Sequence, residues 1–291
     1  MTMRNTVTEN SAFWDADTYD IVSNAQEEWA KFIIKQRKWS GNEVVLDAGC
    51  GSGRITKMLS QIIRDGKIYA VDNDPNMIKK ATEILGSIGN VRIIQSDLTD
   101  ADFVNMQIKF DIIFSNAVLH WILDHHKVFK NFYNLLNPKG ELLIQCGGFG
   151  NLKKTISVFN IVKDSSDFKQ YFSEWKQSWN FAKPQDTKNL LDDIGFKHLH
   201  VYLSNSNVNF DSKSNYILYL KTVVLGPYLK YLPSEQLRNK FVESILNLIE
   251  KDYPELKWNL DYVRLNILAS KQLSYTHYYN MFLDFQVNSM L

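Results

Sequence analysis

The sequence predicts an α/β fold: a doubly wound, mostly parallel sheet carrying helical insertions. Two observations predict it. From about residue 43 to 146, apolar runs of strand length alternate with runs of helical period, at the spacing of βαβ units. The first run ends in closely spaced glycines, Gly49, Gly51 and Gly53, where a strand should hand over to a helix. A chain of 291 residues, 45% apolar, can build such a core and still carry insertions.

Each element has a local reason. Glu43 to Ala48 reads as a buried strand, and Arg54 to Ile63 as a helix with Ile55, Leu59 and Ile62 on one face. Lys67 to Val71 is the next strand. Asp74 then fits an N-cap and Pro75 the first helical position, with Ile78, Ala81 and Leu85 expected inward. Val91 to Ile94 and Phe110 to Ser115 are strands, and His125 to Leu136 is helical. Asn137-Pro138-Lys139-Gly140 suits a tight turn before a fifth strand, Glu141 to Cys146.

After Gly148 the pattern changes. Residues 149–182 are aromatic-rich without a strand signature. Thr187 to Ile194 resumes a helix stopped by Gly195, and His198 to Leu203 is a strand. Residues 212–251 are helical, with Ser234 as the cap of a helix whose Leu237, Phe241, Ile245 and Leu248 form a stripe. Tyr262 to Ala269 is the last strand. The apolar stripes of the two insertions need a partner, so a single cap over the carboxyl edge of the sheet is expected.

Composition narrows the function. A net charge of +1 argues against a protein that lives on nucleic-acid phosphate. Cys50 and Cys146 form neither a metal spacing nor a disulfide framework. No metal site is expected, and the adjacent His125 and His126 read as a solvated helix start. Met1 to Asn10 is polar, and no stretch approaches the ~20 apolar residues of a membrane span, so the reading is a cytoplasmic protein.

The glycines run G-x-G-x-G, not in the dinucleotide pattern G-x-G-x-x-G. Asp47, two residues before the first, would repel a pyrophosphate but suits an ammonium group. Asp72, ending the second strand, can accept ribose hydroxyls. Asp97 can accept an adenine amino group, with the Leu98 backbone at the ring edge. Asn116 opens Asn116-Ala117-Val118-Leu119-His120-Trp121 at the end of the fourth strand. All four motifs fall on the carboxyl edge of the sheet, where open α/β folds bind ligands. Singly, each acid also fits a turn cap or an ordinary loop position.

Together these residues resemble the class I S-adenosylmethionine (SAM)-dependent methyltransferases, closely over 44–146 and loosely to about 271. The Asn116 to Trp121 run is similar to the subgroup that methylates free carboxylates, including the trans-aconitate, malonyl-carrier-protein and juvenile hormone acid enzymes. Phe13 to Tyr19 resembles their N-terminal entry. The resemblance implies a seven-stranded Rossmann-like sheet, and SAM contacts (S-adenosylhomocysteine after turnover) at Asp47, Gly49, Gly51, Asp72, Asn73, Asp97, Leu98 and Asn116, with Gly53 completing the loop. The expected division is an N-terminal helical lid (1–40), a SAM-binding core (41–148), a cap insertion (149–182), a core helix and strand (183–211), a second cap insertion (212–256), a last core strand (257–271) and a tail without assigned role (272–291).

The acceptor side is less determined. His120 fits three roles: a donor that orients a carboxylate, a base for a hydroxyl or amine, or a rim histidine outside the chemistry. Trp14, Tyr19 and Trp121 fit a sulfonium-facing or substrate wall. Trp175 and Trp179, spaced one helical turn apart, read first as a packing stripe and join the acceptor wall only if the insertion covers the site. The expected reaction is O-methylation of a small or lipid-like organic acid. Another small-molecule acceptor, or a SAM-binding subunit without turnover, stays open.

Overall fold

A computed structural model describes residues 24–100, 103 and 107–271. Trp14, Tyr19 and the tail 272–291 lie outside the described residues, as does all of the expected lid before Asn24. The central sheet contains β1 (Val44–Ala48), β2 (Lys67–Asp72), β3 (Val91–Gln95), β4 (Phe110–Asn116), β5 (Leu136–Gly147), β6 (Lys197–Asn205) and β9 (Val263–Ser270). Their order is β3-β2-β1-β4-β5-β9-β6. All neighbours are parallel except β9, which runs antiparallel to both β5 and β6. Val45, Leu46, Ile68, Ala70, Ile112 and Ile113 are fully buried, as a sheet covered by helices on both faces requires.

Helices flank the sheet: α1 (Asn24–Ile34), α2 (Arg54–Ile62), α3 (Pro75–Leu85), α4 (His125–Leu135) and, beyond the first insertion, α6 (Pro184–Ile194). Asp74 caps α3, its carboxylate accepting from the Asn76 and Met77 amides, with Pro75 in the first turn. Met77, Ala81 and Leu85 turn inward; Ile78, expected there, is only partly buried. The Asn137–Gly140 turn is taken up as a bulge within β5, because Leu136 already pairs with Phe110 before Glu141 pairs with Ile112. A Cβ on Gly140 would meet Leu136 Cδ2 at 2.7 Å and the Phe110 carbonyl at 2.9 Å.

The two insertions share one apolar core. It joins α5 (Lys153–Lys163), α7 (Lys213–Tyr219) and α8 (Glu235–Asp252) through Phe159, Phe168, Tyr216, Tyr228, Phe241 and Ile245. Ser234 caps α8, its hydroxyl accepting from the Leu237 amide at 3.2 Å. The α8 stripe centres on Phe241, Val242, Ile245, Leu246 and Ile249, which leaves Leu237 and Leu248 at its margins. A two-stranded ribbon, β7 (Val208–Asn209) with β8 (Asn259–Leu260), packs on this core through Val208 and Leu260. Among the described residues, no helix is long and apolar enough to cross a membrane.

Candidate active site

One cavity of about 740 Å³ lies along the carboxyl edge of the sheet and runs under the cap. Its volume is in the upper part of the range for small-molecule sites, roughly 300–1,000 Å³. The chain winds from β1 to β2 on one side of the sheet and to β4 on the other, so a crevice opens between the ends of β1 and β4.

The glycine loop after β1 forms the crevice floor. Gly49, Gly51 and Gly53 all have positive φ, 82°, 54° and 85°. A Cβ on Gly49 would strike Val118, and one on Gly53 would strike Leu85 at 2.6 Å. A Cβ on Gly51 would meet nothing within 4 Å. The three glycines therefore do different work. Gly49 and Gly53 let the loop pack, while Gly51 borders open space in the cavity. Gly53, expected at the cofactor, does not line the cavity, because α3 fills the space beside it.

Asp47 is almost fully buried, and Thr56 donates to it at 2.6 Å. Burial raises its carboxyl to about 7, against the Thr56 bond and with the help of the Asp72 charge. Asp72 accepts from the Gly51 amide and the Asp74 amide, each at 2.9 Å, and burial raises it too. Asp97 accepts from the amide and hydroxyl of Thr99, both at 2.7 Å. Asn116 donates to the Gln26 carbonyl at 2.9 Å, and its buried Oδ1 has no hydrogen-bond partner. An orphaned acceptor, an ionisable carboxylate, a second carboxylate with free lone pairs and an open glycine cradle fit an amino-acid nucleoside such as SAM. Asn73 and Leu98 complete this end of the wall.

Beyond β4 the wall changes character. Ala117 is held at φ 61°, a left-handed conformation uncommon for alanine, with its amide on the Gln145 carbonyl at 2.8 Å. The chain then turns through Leu119–Trp121, which brings both His120 and Trp121 onto the cavity. His120 is 8% exposed. The Gly147 amide donates to its Nδ1 at 3.2 Å, so Nδ1 is the acceptor and Nε2 carries the proton. Burial holds this imidazole well below its ordinary value, with the charges of Arg264 and His125 acting the same way. The cap is hooked to this turn, since the Asn180 amide donates to the His120 carbonyl at 2.8 Å.

The structure separates the two insertion tryptophans. Trp179 lines the cavity. Trp175 does not; it stacks on Tyr228 at 5.4 Å and donates to the Pro227 carbonyl at 3.3 Å. Residues 175–180 are not helical, so the four-residue spacing does not place both rings on one face. His125, expected in solvent, is buried with Nε2 2.9 Å from the Leu119 carbonyl.

Sequence reasoning missed further wall residues, among them Gln26 and Trp29 of α1 and Arg264 of β9. Gln26 donates to the Tyr219 hydroxyl at 3.2 Å, and its buried Oε1 has no partner. Arg264 is 1% exposed, with its guanidinium 3.9 Å from the Trp29 ring. An arginine inside the strand pattern Tyr262 to Ala269 was the available signal, because a charge in a buried strand needs a specific reason.

Known proteins match this arrangement. A methyltransferase-domain family model covers residues 40–200. An uncharacterized methyltransferase of Schizosaccharomyces pombe is 30% identical over 89% of this chain and 98% of its own length. A malonyl-[acyl-carrier protein] O-methyltransferase of Ilyobacter polytropus is 26% identical over 72% of each chain. Among solved structures, a putative methyltransferase of Bacillus halodurans superposes with a TM-score of 0.58 at 15% identity, over 84% of this chain and 99% of its own.

Proposed function

Because this chain belongs to the class I SAM-dependent methyltransferases, we propose that it transfers the methyl group of SAM to a carboxylate oxygen of a small or lipid-like organic acid. Bound SAM supplies a methyl carbon already activated by the sulfonium. The task left to the protein is to align the acceptor and exclude water. Asp47, Asp72, Asp97 and Asn116 would hold the amino-acid, ribose and base parts, and the open space at Gly51 admits them.

The observation that carries the choice of acceptor is the bond from the Gly147 amide to His120 Nδ1. It occupies the one lone pair that a neutral imidazole has. The remaining nitrogen is a donor, and burial resists a second proton. His120 is thus suited to donate to an anion and unsuited to take a proton. A hydroxyl or ammonium acceptor must lose a proton; a carboxylate is ionised at pH 7 and needs no base. The acid's oxygen forms a bond to the methyl carbon as the carbon–sulfur bond breaks, and no proton changes place. Relatives that methylate carboxylates, such as the malonyl-[acyl-carrier protein] enzyme, support the same reading.

Labelled methyl SAM offered with a panel of acids, alcohols and amines tests it. Base-labile methyl ester from an acid is expected. Label recovered only as an ether or methylamine would overturn the reading, as would binding of SAM without turnover on any of them.

A further inference from the structure

We propose that the acceptor is a medium-chain carboxylic acid whose apolar tail lies along a row of aromatic rings beneath the cap, and that Val223 and Val224 set the longest tail admitted. This rests on the carboxylate reading above and narrows it to a substrate class.

The row starts at the residue that would face the carboxylate. The His120 ring lies 5.9 Å from that of Phe181, centre to centre, and Phe181 stacks on Trp179 at 5.9 Å. Trp179 lies 6.1 Å from Tyr228, and Tyr228 meets Phe159 edge-on at 5.6 Å. All five rings line the same cavity. The row therefore leads from the turn after β4 into the cap. The polar end of Tyr228 is occupied elsewhere, its hydroxyl donating to Asn160 Oδ1 at 3.2 Å. Phe172 and Phe241 also pack on Tyr228, at 6.3 and 6.2 Å, and neither of them lines the cavity. The passage thus ends against packed core.

Aliphatic side chains complete this wall. Leu152 and Ile156, one helical turn apart at the start of α5, line the cavity. Leu220–Val224 is a single π-helical turn, and it brings two consecutive residues, Val223 and Val224, to the wall. Both valines are buried, so a larger side chain there must take space from the cavity or from the core. Among the described residues, the two insertions supply no Asp, Glu, Lys or Arg to the wall; the polar residues they add, Asn151 and Ser178, carry no charge. A tail bearing a charge or several hydroxyls would give up water here without replacement partners, a costly exchange. An apolar tail gains instead, by about four-fold in binding for each methylene buried.

A length series tests it: butanoate, octanoate and hexadecanoate, with gluconate, octanol and octylamine beside them, each offered with labelled SAM. Octanoate should exceed butanoate in kcat/KM by roughly a hundred-fold, and gluconate by more. Hexadecanoate should fall below octanoate by at least about ten-fold. Val224→Phe shortens the passage, so the octanoate-to-butanoate ratio should drop by about ten-fold or more, while Val224→Ala should move the optimum toward longer acids. The SAM Kd should hold in both. If Val224→Phe does not fold, Val224→Ala and the unsubstituted protein carry the test. A length preference unaltered by either substitution, or hexadecanoate turned over as well as octanoate, would overturn the role of the valines. Butanoate or gluconate turned over as well as octanoate would overturn the tail site while sparing carboxylate methylation. Methylation of octanol or octylamine but of no acid would overturn the carboxylate reading and leave the tail site standing. Turnover of none of them would overturn both.

Discussion

Thr56 donates a 2.6 Å hydrogen bond to Asp47, a carboxylate that burial has raised to about 7. Asp47 is the group proposed to hold the SAM ammonium, so the pair would set the charge at that position near neutrality. SAM affinity should therefore fall as pH drops from 8 to 6, by up to about ten-fold. Thr56→Val removes the bond that favours the ionised form, so the midpoint should move upward and affinity at pH 7 should drop several-fold. Calorimetry across this range checks both; affinity level from pH 6 to 8.5 would remove Asp47 from the cofactor site.

The same residue affects folding without ligand. An unfolded Asp47 titrates near 3.8 and the folded one near 7. Between those values the folded state keeps a proton that the unfolded chain has lost, so stability falls as pH rises through the window. Asp47→Asn should flatten that decline and raise ligand-free stability at pH 8 by roughly 2–4 kcal/mol, while weakening SAM binding. Denaturant melts at several pH values give the comparison.

Two glycines separate ligand space from packing space. Gly51→Ala should cost SAM affinity with little change in stability beyond about 1 kcal/mol of backbone strain. Gly53→Ala should lower Tm more, since its methyl meets Leu85. Asp72→Ala should combine both effects, weakening SAM at least about ten-fold and loosening the Gly51 loop. A normal SAM Kd for Gly51→Ala would mean the cradle faces no ligand.

For His120, Gln keeps a donor and Ala does not. With a carboxylate acceptor, His120→Gln should retain most of kcat with a higher KM, His120→Ala should lose more, and kcat should be level in pH near neutrality. A loss of roughly a hundred-fold in His120→Gln, with a pH dependence erased, would instead indicate proton abstraction. Normal kinetics in both variants would place His120 outside the mechanism.

Trp175 and Trp179 should respond in opposite ways. Trp179→Ala is expected to raise the acceptor KM, because the ring forms part of the cavity wall. Trp175→Ala should lower Tm by opening the cap core near Tyr228, with kcat/KM almost unchanged.

The five parallel strands and the Asp74 cap were legible because period and capping are local properties of a chain. The end of the cavity along the carboxyl edge was legible for the same reason, since its residues end consecutive strands. The wall beneath the cap was not. Gln26, Trp29, Val224 and Arg264 come from distant segments, and only the sheet order brings them together. The π-turn at Leu220–Val224 has no sequence period to announce it. Trp175 and Trp179 misled because spacing predicts a shared face only where the backbone is helical, and there it is not.

The position of β9 also bears on how the protein is made. It is the last described strand in sequence, yet it sits between β5 and β6. Until Val263–Ser270 has left the ribosome, both of those strands present open edges. A nascent or truncated polypeptide that stops before Val263 would carry two adhesive borders. Such a species should aggregate or be held by chaperones, and its rescue by a synthetic peptide of the Val263–Ser270 sequence would be strand complementation in trans.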